Sequence, residues 1–136
     1  MTLRRFTGIS AAFVFVTALG ISCTNSTDPL PDVTSVSYAA DIQPIFNGSC
    51  GGSACHTNGG AAFGVDLSNY AATMASRGSQ YSGATVVPGN PDSSPLVDKI
   101  EPNPTHGSRM PLGRAALNAT QIQKIRTWIQ NGANND

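Results

Sequence analysis

Three observations predict a small all-α domain with a loop-rich middle. Apolar residues near residue 40 and again near residue 125 recur at intervals of three and four, the spacing of a buried helix face. No segment shows the alternation of a half-buried strand. Fourteen glycines and nine prolines among 136 residues indicate that much of the remainder is loop. A chain of this length has room for one domain.

Residues 1–22 have the pattern of a secretory signal peptide. Arg4 and Arg5 form a charged start, and the apolar stretch 9–19 that follows is too short to span a bilayer as a helix. We therefore expect an exported protein, located in the periplasm or cell envelope.

The end of this leader, LGISC, resembles a bacterial lipoprotein signal, in which the cysteine becomes the lipid-bearing first residue. Cys23 is then a lipid attachment site and the protein is membrane-anchored. Gly20 stands where that signal usually has leucine, so ordinary cleavage that leaves Cys23 unmodified is the alternative. Residues 23–36 are rich in Ser, Thr, Asp and Pro and predict a flexible tether. The folded domain is expected over residues 37–136.

The charge balance argues against a nucleic-acid partner. The chain has eight basic and eight acidic residues, and removal of the leader with Arg4 and Arg5 leaves a net charge of −2. Phosphate binding depends on clustered Lys and Arg, and a net negative charge does not favour it.

The first helix is expected to begin near Ser37 and to bury one apolar stripe formed by Tyr38, Ile42, Ile45 and Phe46. A second short helix is expected at 69–76 with Ser68 as its cap. A third is expected at 95–100, with Ser94 as cap and Pro95 at the first helical position, where its missing N–H costs nothing.

The last helix has the strongest start and stop signals. Asn118 and Gln121 predict a capping box, and Leu117 is placed to pack against Ile122. Its apolar face comprises Ile122, Ile125, Trp128 and Ile129. Gly132 is placed to end the helix in the left-handed conformation that glycine tolerates.

The segment CGGSACH contains the candidate functional residues of this sequence. Four residues separate Cys50 from Cys55, and His56 follows directly. The usual haem-attachment signature has two residues between its cysteines. Two thiols must reach two vinyl groups on one porphyrin edge while the imidazole turns to the iron. A longer spacer must therefore bulge outward, which the small residues 51–54 permit.

Three other uses of these residues remain open. A Cys50–Cys55 disulfide suits an exported protein but leaves His56 without a role. A zinc site with His106 as an added ligand requires adjacent Cys55 and His56 to ligate one tetrahedral ion. Reactive thiol chemistry lacks the strand-helix context of a thioredoxin-like motif.

Met110 is the candidate for the second axial ligand. It lies 54 residues after His56 in a GSRMP loop whose polar neighbours give it no apolar stripe to join. A thioether paired with an imidazole favours Fe(II) and fills both axial positions, which predicts an electron carrier rather than an enzyme. His106 is the rival ligand, and Met74 is a weaker one.

Two arginines are candidates for pairing with the haem propionates. A guanidinium suits a carboxylate, and Arg77 and Arg109 are the residues considered for this contact. An ordinary solvated side chain is the alternative for each.

Residues 38–133 resemble the planctomycete-type c-type cytochrome domains of exported bacterial proteins. The resemblance rests on the order and spacing of IQPIF, CGGSACH, GVDLSNYAA, VVPGNPDSSPL, RMP and IRTWIQNGA. It implies an all-α cytochrome c-like fold in which the first and last helices pack beside one covalently bound haem c. It also implies thioether links at Cys50 and Cys55, with His56 and Met110 on the iron.

The leading hypothesis is a monohaem electron carrier that acts with redox partner proteins and has no small-molecule substrate. The second is a haem-based sensor or weak peroxidase, in which Met110 leaves the sixth position open. The third is a haem-free binding module in which Cys50 and Cys55 are oxidised to each other.

Overall fold

The computed structural model describes residues 33–52 and 54–136 and shows an all-α domain with no strand in those residues. The predicted signal peptide, the anchor at Cys23 and the predicted tether up to residue 32 lie outside the described residues. Val33 packs against the core and Val36 is buried, and both belong to the stretch 23–36 that is predicted to be a tether. In this described part, no helix is both long and apolar enough to cross a bilayer.

The first helix, α1, consists of three consecutive stretches: Tyr38–Ile42, Gln43–Ile45 and Phe46–Cys50. The first and third are π-helical, and the middle one is α-helical. The Ser37 hydroxyl caps the helix by accepting a hydrogen bond from the Ala40 N–H. The predicted stripe is buried as expected, since all four of its apolar residues belong to the core. The helix ends at Cys50 and thereby positions the first cysteine.

Two short helices follow, α2 at Tyr70–Ala75 and α3 at Pro95–Ile100. The predicted cap of α2 was wrong: Asn69 accepts from the Ala72 N–H at 2.9 Å, because the extended backbone at residue 69 places that side chain over the first turn. Ser94 occupies the cap position of α3 but makes no capping hydrogen bond. Its hydroxyl instead donates to the Asn90 carbonyl, within the preceding loop.

Two single 3-10 turns, at Ala62–Gly64 and Pro91–Ser93, interrupt the loops. The last helix, α4, spans Ala119–Gln130 and has the predicted capping box between Asn118 and Gln121. Its end is a Schellman motif: the Gly132 N–H donates to Ile129, the Ala133 N–H donates to Trp128, and Gly132 has a φ of +99°.

The core lies between α1 and α4 and is organised around Tyr38. Its ring packs edge-on against Tyr70, with 5.2 Å between centroids, and lies tilted against Trp128 at the same separation. The Tyr38 hydroxyl is hydrogen-bonded to Gln43 and Thr73. Lys124 of α4 pairs with Asp41 of α1 at 2.6 Å, and this hydrogen bond lowers the pKa of Asp41. These contacts hold both ends of the domain together and leave the central loops to form the site.

Candidate haem site

The loop between the two cysteines closes on itself. The His56 N–H donates to the Cys50 carbonyl at 3.1 Å, and the Cys55 N–H donates to the Gly52 carbonyl at 2.9 Å. The first of these hydrogen bonds joins the two ends of the motif. Together the two bonds hold Cys50, Cys55 and His56 close to one another.

Glycine is required at two places around this turn. A Cβ atom on Gly51 would lie 2.4 Å from the Asn47 carbonyl oxygen. A Cβ atom on Gly60 would lie 2.7 Å from the Cys55 carbonyl oxygen and 2.8 Å from that of Gly52. All three distances are to backbone atoms, which cannot move aside as a flexible side chain would. The tight folding of the cysteine loop therefore depends on these glycines.

The imidazole of His56 is oriented by the backbone that follows it. Its Nδ1 lies 3.0 Å from the Val65 carbonyl oxygen, an arrangement in which Nδ1–H is the donor. Nε2 then carries the free lone pair and is the nitrogen available to a metal, an arrangement common among ligating histidines. The His56 carbonyl accepts from the Leu67 N–H at 2.6 Å, which ties the same two segments together.

Two adjoining clefts open around this histidine, and they enclose about 610 and 650 Å³ of space including their open mouths. Five residues line both clefts: Cys50, His56, Ala62, Phe63 and Met110. Cys55 lines the second cleft together with Pro111, Leu112 and Arg114. The fold thus brings all four sequence-predicted site residues to one place, although Met110 is distant from the cysteines along the chain.

The other candidate ligands lie elsewhere. His106 is exposed and packs edge-on against the Tyr81 ring at 4.9 Å between centroids, and it lines neither cleft. Met74 packs against the core and is likewise absent from both linings. Of the three candidates for a sixth ligand, Met110 is the one that faces the same space as His56.

The two arginines considered for the propionates also make other contacts. The Arg77 guanidinium donates to the carbonyls at the end of α2, including that of Ser76 at 2.9 Å. Arg109 donates from Nε to the Ile100 carbonyl at 2.8 Å. Neither arginine lines a cleft, because each is used to hold a turn of backbone.

Both cysteines of the motif are free thiols. Cys50 is buried, and burial raises its pKa to about 11 although the charge of Arg114 acts in the opposite direction. Cys55 is half-buried and also unpaired. Within residues 33–52 and 54–136, no group of three or more His, Cys, Asp or Glu side chains could hold a metal ion.

The residues around the clefts fit a porphyrin. The lining of the first cleft is largely apolar, with Val65, Leu67, Leu96 and Ile100 among its members. Phe63 and Leu112 are 66% and 68% exposed, the two large apolar side chains in the described part that are open to solvent, and both border the clefts. A planar apolar group seated here would cover them, which removes their contact with water.

One buried polar atom also fits such a group. Thr85 lines the first cleft and is 4% exposed, yet its hydroxyl has no hydrogen-bond partner. An unpartnered buried hydroxyl costs free energy, so a polar substituent such as a propionate would be a favourable partner. Thr85 could not be predicted as a site residue, because an isolated threonine in a loop belongs to no recognisable motif.

One comparison with known proteins found a match. Residues 53–111 match the family model described as Planctomycete cytochrome C. The matched stretch includes Cys55, His56 and Met110, and it excludes Cys50 and the last helix. No curated protein and no solved structure matches the chain.

The all-α fold and this family match support a protein of the c-type cytochrome class. More particularly, the match over residues 53–111 supports a planctomycete-type cytochrome c domain in this chain. Domains of this family bind haem c and transfer electrons.

Proposed function

We propose that the protein is a monohaem c-type cytochrome that carries single electrons between redox partner proteins. Its haem would be joined to Cys50 and Cys55, with His56 and Met110 as axial ligands. The observation that carries this proposal is the convergence of Cys50, His56 and Met110 on the same two clefts. The bound haem supplies a one-electron iron couple, and the chain supplies its attachment, orientation and axial ligands.

Each residue has a distinct task in this scheme. The Val65 carbonyl holds the Nδ1 proton of His56 and leaves Nε2 for the iron. The Met110 thioether would be the second iron ligand and would favour the reduced state. With both side chains bound to the iron, neither oxygen nor a substrate would have an open site there. The protein is therefore proposed to be a carrier and not an enzyme.

Replacement of Met110 by alanine tests the ligand assignment. In the ferric holoprotein, Met110→Ala is expected to abolish the band at the red edge of the spectrum that marks sulfur ligation. The reduced variant is expected to bind carbon monoxide without denaturant, because the sixth position is open. The matched control is His106→Ala, which removes a ligand-capable side chain from the same loop and is expected to keep the wild-type spectrum and potential.

Two outcomes would contradict the proposal. Loss of the native spectrum in His106→Ala, with Met110→Ala unchanged, would move the sixth ligand to His106. Carbon monoxide binding by the native reduced protein would favour a haem-based sensor or weak peroxidase.

We further propose that the protein works in the periplasm or cell envelope, anchored to a membrane by lipid on Cys23. This rests on the leader pattern and on the cysteine that follows it. Protein extracted from membranes with detergent is expected to carry a lipid mass increment in addition to the haem. Cys23→Ser, made with the same leader, is expected to appear in the soluble envelope fraction without that increment. An unmodified Cys23 in the wild-type protein would contradict the anchor.

A further inference from the structure

Residues 102–110 form the loop that carries Met110, called the Met110 loop, and it has almost no backbone hydrogen bonds within itself. Between residues 102 and 109, no backbone N–H donates to another backbone group and no backbone carbonyl accepts from one. The loop also lies largely at the surface. A methionine on a loop of this kind cannot be held at a fixed place by the loop itself, so its support must come from elsewhere.

That support comes from the end of helix α3. The Lys99 ammonium donates to the carbonyls of His106 at 2.7 Å and Ser108 at 2.9 Å. It also donates to Oε1 of Gln80 at 3.0 Å. The Lys99 carbonyl in turn accepts from the Met110 N–H at 2.7 Å. Lys99 alone therefore holds the loop at His106, Ser108 and Met110.

Asp98, the neighbour of Lys99, holds the other part of the loop. Its carboxylate accepts from the Thr105 N–H at 3.0 Å and from the Thr105 hydroxyl at 2.7 Å, and it also accepts from the Tyr81 hydroxyl. Burial acts to raise the pKa of Asp98, but the hydrogen bonds from Tyr81 and Thr105 outweigh it and the pKa lies below its ordinary value. The carboxylate is thus charged at neutral pH and accepts strongly.

The loop is fitted closely to these side chains. Gly107 has a φ of +63°, and a Cβ atom there would lie 3.2 Å from Oε1 of Gln80 and 3.4 Å from Nζ of Lys99. Residue 107 is therefore held directly over the lysine contact. Lys99 also lines the first cleft beside Met110.

We propose that Asp98 and Lys99 form a clamp that positions the Met110 loop and thereby keeps the sixth iron position closed. Both are positioning residues, because each acts through the loop and not on the iron. This inference rests on the proposed function, since the clamp has a purpose only if Met110 is an iron ligand.

Imidazole binding to the ferric holoprotein tests the clamp. Imidazole can occupy the iron only when Met110 has left it, so its apparent Kd falls as the open fraction rises. Lys99→Met keeps the aliphatic stem and removes all three donors. We expect its apparent Kd for imidazole to fall about tenfold, which corresponds to about 1.4 kcal/mol in the loop equilibrium. The sulfur band is expected to disappear at a lower denaturant concentration than in the wild type.

Two further variants make the test specific. Lys99→Arg restores donors to the loop and is expected to recover part of the wild-type affinity. Lys124→Met removes a lysine whose ion pair with Asp41 lies between α1 and α4, outside the loop and both clefts. It is expected to leave imidazole affinity unchanged even if global stability falls. If Lys99→Met does not accumulate as holoprotein, Asp98→Asn is titrated with imidazole instead. This variant weakens the contacts to Thr105, so its apparent Kd for imidazole is also expected to fall.

The possible failures are distinguishable. Wild-type protein without covalent haem, or without the sulfur band, would overturn the proposed function. Wild-type protein with the band, together with a Lys99→Met or Asp98→Asn variant of unchanged imidazole affinity, would overturn the clamp and leave the proposed function standing.

Discussion

Replacing both Cys50 and Cys55 by serine is expected to leave the protein without covalently bound haem. Both thiols line the clefts as free cysteines, and serine hydroxyls do not form thioether links to vinyl groups. Intact mass under denaturing conditions is the measurement, since a covalent haem survives unfolding and adds a fixed increment. Wild-type protein from a host able to attach haem should show one increment, and the double variant should show none.

The single variants serve as controls for this experiment. Cys50→Ser and Cys55→Ser each leave one thiol beside His56, so each is expected to retain a haem by one link with lower yield. A double variant that still carries the increment would contradict the assignment of both cysteines. A colourless wild-type protein with both thiols free or joined together would contradict haem attachment altogether.

Truncation of Trp128 to alanine is expected to be the most destabilising single change in the core. The side chain is 1% exposed, packs against Tyr38, and donates from Nε1 to the Asn134 carbonyl at 2.9 Å. Removing a buried aromatic side chain costs about 3–5 kcal/mol of unfolding free energy, because burial is lost and a cavity remains. The total free energy of unfolding of a domain of this size is about 5–15 kcal/mol. Denaturant unfolding of the holoprotein gives the difference directly.

Trp128→Phe is the matched control for this prediction. It keeps most of the apolar ring and removes the hydrogen bond to Asn134, so it should cost clearly less than alanine, about 1–2 kcal/mol. Equal losses in the two variants would assign the stability to the hydrogen bond instead of packing. A loss below about 1 kcal/mol in Trp128→Ala would contradict the central position of this residue in the core.

The helices and the cysteine motif were predictable because their signals are local. The apolar stripe of α1, the capping box at Asn118 and Gln121, and the stop at Gly132 each depend on residues within one or two turns of each other. The cysteine motif is equally local, because Cys50, Cys55 and His56 lie within seven consecutive residues. Signals between residues this close in the chain can be recognised from the sequence without the tertiary structure.

The caps of the short helices and the surroundings of the clefts were decided by tertiary structure. Ser68 and Asn69 are both good capping residues. The conformation of the loop before α2 places Asn69 at the cap position. Lys99, Thr85 and the Val65 carbonyl reach the site because distant segments fold against one another, and no spacing in the sequence marks them. Hydrogen bonds between segments far apart in the chain depend on the loop conformations, which a periodic pattern does not encode.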